Sequence, residues 1–344
     1  MSGVHLVTGG AGYFGSLLVS RLHAQGHPVR IFDLADADER PAGVEVLRGD
    51  VRDRDAVARA CAGVAVVHHN VALVPLAKDR DGFFAVNVGG TRNLLEASAR
   101  AGVRKFVYTS SSAVFGVPDR NPVTEDMEPH PQEAYGRAKL AAEHLCREHA
   151  ERGLDVAIVR PRTILGHGRL GILQILFEWV RLGRNVPVLG RGDNVYQFVH
   201  ADDLADVCIR AAERPGFRIY HAGAADFGTM RETLEALVAH AGTGSRVRSV
   251  PMAPAVLGMR VASALGLSPL GPYHALMYGR SMFFDIRRAR EELGFAPRWG
   301  NAAMLCESYD WYVAHRDAVL ARGGASHHRS AVRQGVLALV SRLL

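Results

Sequence analysis

A glycine-rich turn set between the first apolar run and the first helical pattern limits what this chain can fold into more than any other feature. Val4-His5-Leu6-Val7 reads as a strand. Thr8-Gly9-Gly10-Ala11-Gly12-Tyr13-Phe14-Gly15 follows it and opens a helix that runs to about Ala24. Glycines at 9, 12 and 15 permit a tight turn, close approach of the backbone to a diphosphate, and close packing of helix on strand. The N-terminus of such a helix turns free N–H groups toward an anion. Placed between a strand and a helix, the turn predicts a parallel, nucleotide-binding sheet.

The rest of the first half agrees. Strands are expected at Val29–Asp33, Val44–Leu47, Val64–Val67, Phe106–Tyr108 and Asp155–Val159, with a helix at Asn93–Arg100. Strands alternating with helices predict an α/β fold, a doubly wound parallel sheet of the Rossmann type, with right-handed crossovers. After Pro161 the pattern loosens. Helices are expected at Ile172–Leu182, Asp203–Glu213 and Met230–Ala241, and short strands at Phe217–Tyr220 and Val247–Val250. The expected division is a nucleotide-binding domain over 1–165, to which later segments return, a smaller C-terminal α/β substrate lobe over 166–322, and a tail over 323–344. In that tail Val332, Val336, Leu339, Val340 and Leu343 share one helical face, with Arg329, Arg333 and Arg342 elsewhere. The pattern suits a helix packed on this protein or a partner, with weak membrane contact as the alternative.

Composition narrows the class. Of 344 residues 48% are hydrophobic, enough for a large core, and 41 basic against 35 acidic side chains leave a net charge of +6. The balance suits an anionic ligand, but no basic-aromatic platform points to nucleic acid. Cys61, Cys146, Cys208 and Cys306 are too scattered for a metal cluster and read as reduced thiols. His68-His69 and His327-His328 lack ligand-type partners, so no metal is expected. No signal peptide and no apolar run of membrane-spanning length is present, which gives a cytoplasmic expectation.

Two further features carry chemistry. Asp33 ends the second strand, 18 residues after Gly15. A carboxylate there accepts hydrogen bonds from ribose hydroxyls and repels a 2′-phosphate, which favours NAD over NADP. Asp50-Val51 closes the third strand, where the carboxylate would meet the adenine amino group. Tyr135 and Lys139 stand four apart on one helix face, close enough for an ammonium to favour the phenolate. A tyrosine so tuned moves a proton to or from a carbinol oxygen.

With Asn87, the run Thr109-Ser110-Ser111-Ser112-Ala113-Val114-Phe115-Gly116 and the Tyr135/Lys139 pair, these motifs resemble the extended short-chain dehydrogenase/reductase superfamily from residue 4 to about 312. The resemblance implies that Ser111 holds the reacting oxygen, with Ser110 and Ser112 as alternatives in the run. It implies that Tyr135 is the acid/base and that Lys139 binds the nicotinamide ribose. Tyr13, Phe14, Asn70, Asn87 and Pro161 would join the cofactor site, and Asn70 stands where many relatives carry a small residue. It also implies a homodimer built from Thr91–Arg100 and Ala134–His149.

The superfamily's dehydratases carry an Asp-Glu pair and its decarboxylases a Glu where this chain has Ser112 and Ala113, which argues against elimination. Two readings remain. Val195 to Ala205 resembles the "RDFVHVDDVA" stretch of sugar epimerases and favours a nucleotide-sugar substrate. Val188 would lie where such enzymes pack the base. However, Tyr196 replaces the diphosphate-gripping arginine and Thr163 the usual asparagine. Arg162, Arg169, Arg191 and Arg280 would have to supply the cations. The alternative is an alcohol dehydrogenase or ketoreductase on a less charged substrate, because Val159 to Gly168 resembles the "RPxxIxGxG" stretch of the 3β-hydroxysteroid dehydrogenase-like branch. A non-catalytic NAD-binding regulator is the reading from a different class.

Overall fold

The computed structural model describes residues 3–37, 40–74, 80–169, 172–264, 277 and 279–321. Its frame is a seven-stranded parallel sheet. The strands are β1 (Val4–Thr8), β2 (Val29–Asp33), β3 (Glu45–Arg48), β4 (Val64–His69), β5 (Lys105–Thr109), β6 (Val156–Pro161) and β11 (Arg218–Ala222), in the order β11-β6-β5-β4-β1-β2-β3. Helices α1 (Tyr13–Ala24), α2 (Arg54–Cys61), α4 (Thr91–Arg100), α5 (Ala134–Glu151) and α7 (Ala201–Glu213) cover the sheet. β5 and β6 are buried along their whole length, as strands shielded on both faces must be. Two apolar clusters result, one containing Val7, Leu18, Val107 and Val159, the other Leu6, Phe32, Phe106 and Ile158.

The expected strands and helices fall close to their positions, with two differences. The expected strand at Phe217–Tyr220 was placed in the smaller lobe, but β11 pairs with β6 and completes the large sheet. A short α3 (Arg80–Phe84) and a π-helical stretch (Ala85–Gly90) also extend the helix expected at Asn93 backwards. Such π turns cluster at functional sites.

The smaller lobe contains α6 (Ile172–Arg181), α8 (Met230–Ala241), α9 (Met252–Ala264) and three two-stranded ladders. The ladders are β7 (Thr163–Leu165) with β10 (Phe198–His200), β8 (Val186–Leu189) with β13 (Val247–Val250), and β9 (Val195–Tyr196) with β12 (Gly228–Thr229). α10 (Arg287–Leu293) packs on β11 and α7, and α11 (Asn301–Ala321) lies across α8 and α6. Phe177, Val188, Leu234, Leu237, Leu305 and Tyr312 form this lobe's core. The tail over 323–344 lies outside the described residues. Among the described residues no helix is long and apolar enough to cross a membrane.

Candidate active site

In a doubly wound sheet, ligands bind at the carboxyl ends of the strands where the strand order reverses. Here that point lies between β1 and β4, and the glycine turn leaves β1 there. Gly9 has φ +72° and its N–H donates to the Phe32 carbonyl. A Cβ on Gly15 would lie 2.0 Å from the Gly9 oxygen, so helix and turn touch backbone to backbone. Gly12 is the N-cap of α1 and brings no side-chain acceptor to the helix N-terminus. Asp33 orders the turn by accepting from the Ala11 N–H at 3.0 Å and the Ala35 N–H at 3.1 Å. A glycine turn that opens a helix, with a carboxylate at the next strand end, fits a dinucleotide.

Two asparagines fix the floor beside this turn. Asn70 accepts from the Thr109 hydroxyl at 2.6 Å, and its backbone N–H reaches the Thr8 hydroxyl at 3.2 Å. It thereby ties together the ends of β1, β4 and β5. Asn87, 1% exposed, grips both backbone groups of Leu73, at 2.8 and 3.0 Å, and pins the segment after β4. Of the two residues expected near the adenine, Asp50 is held by Arg52 at 2.6 Å, which keeps its carboxyl below the usual range. Val51 is buried under Gly90.

The serine run forms a single 3-10 turn, Ser112–Phe115, with Ser111 as its N-cap accepting from the Ala113 N–H. Helix α5 starts at a Glu133 cap that receives the Tyr135 and Gly136 N–H groups. A Cβ on Gly136 would lie 2.4 Å from the Ala113 oxygen. This bare contact seats Tyr135 against Ser111, a role for Gly136 that the spacing of Tyr135 and Lys139 alone does not reveal. Burial pushes the Tyr135 hydroxyl up to about 12, and the hydrogen bond with Ser111 works against it. Phe83 packs edge-on to its ring at 6.2 Å.

Lys139 is buried, donates to the Thr109 carbonyl at 2.8 Å and lies 4.7 Å from the Tyr108 ring centroid. Burial brings its ammonium down to about 7. The charge of Arg169 also favours the Tyr135 phenolate. Arg169 lies 5.6 Å from the Tyr13 ring centroid, its Nη1 is buried without a hydrogen-bond partner, and burial lowers it to about 10. Behind the serine turn, Glu143 joins Ser110 to Arg160, whose Nε and Nη2 reach it at 2.9 and 2.6 Å.

The proposed substrate residues divide. Thr163 and Tyr196 share a hydrogen bond at 2.7 Å, and the Arg162 guanidinium lies 4.6 Å from the Tyr196 ring. Ser112 receives Arg162 Nη1 at 2.8 Å. Val188 belongs to the small-lobe core, and Pro161 is buried at the end of β6. Arg191 is 91% exposed at its side chain beside Asp193, and Arg280 is exposed, so neither is gathered with Arg162. A cleft of about 680 Å³ between α5 and β11 is lined by Glu143 and Arg160 but not by Ser111, Tyr135 or Lys139. It is therefore separate from the chemistry.

One histidine cluster lay outside the sequence expectations. Potential ligand atoms of His167, His200 and Glu307 lie within 4.8 Å of one another. His200 caps α7, its Nδ1 accepting the Asp202 N–H at 3.2 Å. The ring proton therefore resides on Nε2, which faces Glu307 at 3.8 Å. A protonated nitrogen does not ligate a metal, and the trio holds together as donors around a carboxylate. Burial alone would raise Glu307, but the two imidazoles beside it, His167 at 3.3 Å and His200 at 3.8 Å, outweigh it and bring the carboxyl to about 2.

The sequence pattern of the NAD dependent epimerase/dehydratase family matches residues 5–223. The 3 beta-hydroxysteroid dehydrogenase/Delta 5-->4-isomerase of Mycobacterium tuberculosis is 32% identical over 90% of this chain and 90% of its own length. UDP-glucose 4-epimerase of Streptomyces lividans is 30% identical over 92% of this chain and 98% of its own length. Among solved structures, MoeE5 in complex with UDP-glucose and NAD superposes with a TM-score of 0.73 at 26% identity, covering 92% of this chain and all of that one.

Proposed function

The chain belongs to the NAD dependent epimerase/dehydratase family and uses NAD, and from that premise we propose that it is an epimerase acting on a nucleoside diphosphate sugar. When bound, NAD supplies the hydride acceptor and donor. The chain's own work is on the proton. Ser111 holds the carbinol oxygen, and Tyr135 removes its proton and later returns it. Arg169 assists by favouring the phenolate. Lys139, which donates to the Thr109 carbonyl, holds the nicotinamide ribose in this reading.

The observation that carries the reading is the serine turn. Ser112 and Ala113 follow Ser111, both buried, and neither is a carboxylic acid. Loss of water would need a second acid and base there. An oxidation undone at the same carbon needs only the Ser111/Tyr135 pair. The likeness to UDP-glucose epimerases over most of the chain supports a nucleotide-sugar substrate.

The second reading is net oxidation or reduction of a less charged alcohol or ketone. It draws support from the hydroxysteroid dehydrogenase relative and from Leu257 and Val261, exposed on α9. Purified protein decides between them. The epimerase reading expects NAD to be released on denaturation in near-stoichiometric amount and UDP-glucose to isomerise without net NADH. Stoichiometric consumption of added NAD with an alcohol would reject it.

A further inference from the structure

Arg162 follows β6 and is 1% exposed. A guanidinium taken out of water is normally matched by a carboxylate, because burying an unpaired charge is costly. Arg160, two residues earlier, obeys this rule through Glu143. Arg162 does not. Its Nη1 donates to the Ser112 hydroxyl at 2.8 Å and to the Met282 sulfur at 3.3 Å. Its Nε and Nη2 are both buried and have no hydrogen-bond partner. The Tyr196 and Phe284 ring centroids lie 4.6 and 5.6 Å from its Cζ. Those rings offset part of the cost of burial through cation–π attraction, but they leave the in-plane N–H groups unsatisfied.

The unpaired edge has a definite chemistry. Nε–H and Nη2–H form the side fork of the guanidinium, which matches two oxygens of a carboxylate or phosphate. The ring contacts and the Ser112 bond fix the fork's plane before any ligand arrives. Ser112, which receives Arg162 Nη1, adjoins Ser111, and Arg162 also lies against Tyr196 of the Thr163–Tyr196 pair.

We propose that Arg162 is the anion receptor of the substrate pocket, and that the substrate presents acidic oxygens to its Nε/Nη2 edge. This rests on the epimerase reading and narrows it. A nucleotide sugar offers such oxygens in two places, the diphosphate and a carboxylate on the sugar ring.

The test compares wild type with Arg162→Leu, both loaded with NAD, by calorimetric titration with UDP, UDP-glucose and UDP-glucuronate. The NAD content of the variant checks its fold, and Arg162→Met replaces it if that content falls. We expect a loss of at least about 30-fold in affinity on removing one side of a buried charged contact. A loss confined to UDP-glucuronate assigns the receptor to a sugar carboxylate. An equal loss for all three assigns it to the diphosphate. Ligands that bind wild type and variant equally overturn the proposal and leave the epimerase reading standing. If no uridine nucleotide binds wild type, the nucleotide-sugar reading fails, and thermal stabilisation by malonate and pyrophosphate decides the receptor. Stabilisation present in wild type and lost in Arg162→Leu supports it, whereas equal or absent stabilisation in both overturns it.

Discussion

At the scale of single residues, the site pairs two groups that burial drives in opposite directions. Tyr135 is raised to about 12 and Lys139 lowered to about 7, so the ionised pair is disfavoured in the free protein. In the proposed mechanism the hydrogen bond with Ser111 tilts Tyr135 toward its phenolate, and the charge of Arg169 acts in the same direction. Tyr135→Phe should reduce kcat by at least ~10²-fold while leaving NAD content unchanged, measured by sugar isomerisation and by cofactor released on denaturation. Near-wild-type turnover would remove Tyr135 from the chemistry. The Tyr135/Lys139 pair could be read from the sequence because a four-residue spacing acts within one helix. The isolation of Arg162 could not, because it depends on groups contributed by residues 112, 196, 282 and 284. The contribution of Arg169 at Tyr135 is hidden from the sequence for the same reason, because Arg169 arrives from the segment after β7.

At the scale of elements, the turn from β1 into α1 and the seating of α5 on the serine turn both rest on backbone touching backbone. Gly15→Ala places a methyl where the Gly9 oxygen stands. Turn and helix must separate, at a cost of roughly 1–3 kcal/mol, and the N–H groups that cradle a diphosphate lose their aim. Thermal unfolding and NAD titration should show a lowered Tm and at least about tenfold weaker NAD binding. Unchanged affinity would mean that this contact does not shape the cofactor site. The large sheet was legible because its buried strands are continuous apolar runs. The π-helical stretch was not, because what distinguishes it is one extra residue per turn, whereas the sequence shows only an ordinary apolar pattern. Arg218–Ala222 shows a strand in the sequence without showing which strand it joins, and the structure pairs it with β6.

At the scale of the whole molecule, buried histidines shape the response to acid, with His5, His68, His69 and His221 all held below their ordinary value by burial. His69 lies between the Thr8 and Thr91 hydroxyls at 2.8 and 2.9 Å, and His5 meets His68 at 3.1 Å. Burial lowers His68 and His69 to about 3 and His5 to about 4. From their ordinary value of 6.5 down to about 3 the unfolded chain therefore binds more protons than the folded one. The stability these histidines contribute is full above their ordinary value and is lost as the pH falls through that window. Urea unfolding at pH 4.5 should give a stability lower than at pH 7.5 by roughly 2 kcal/mol or more, and a flat profile would reject the assignment. The path of the backbone has a different consequence. The chain leaves the large sheet after Pro161, builds part of the smaller lobe, returns through α7 and β11, and leaves again after Ala222. The two units are stitched together, so no single cut releases either one whole. A change of substrate in such a chain cannot come from exchanging a module. It has to come from replacing individual side chains within a wall that shares its thread with the cofactor platform.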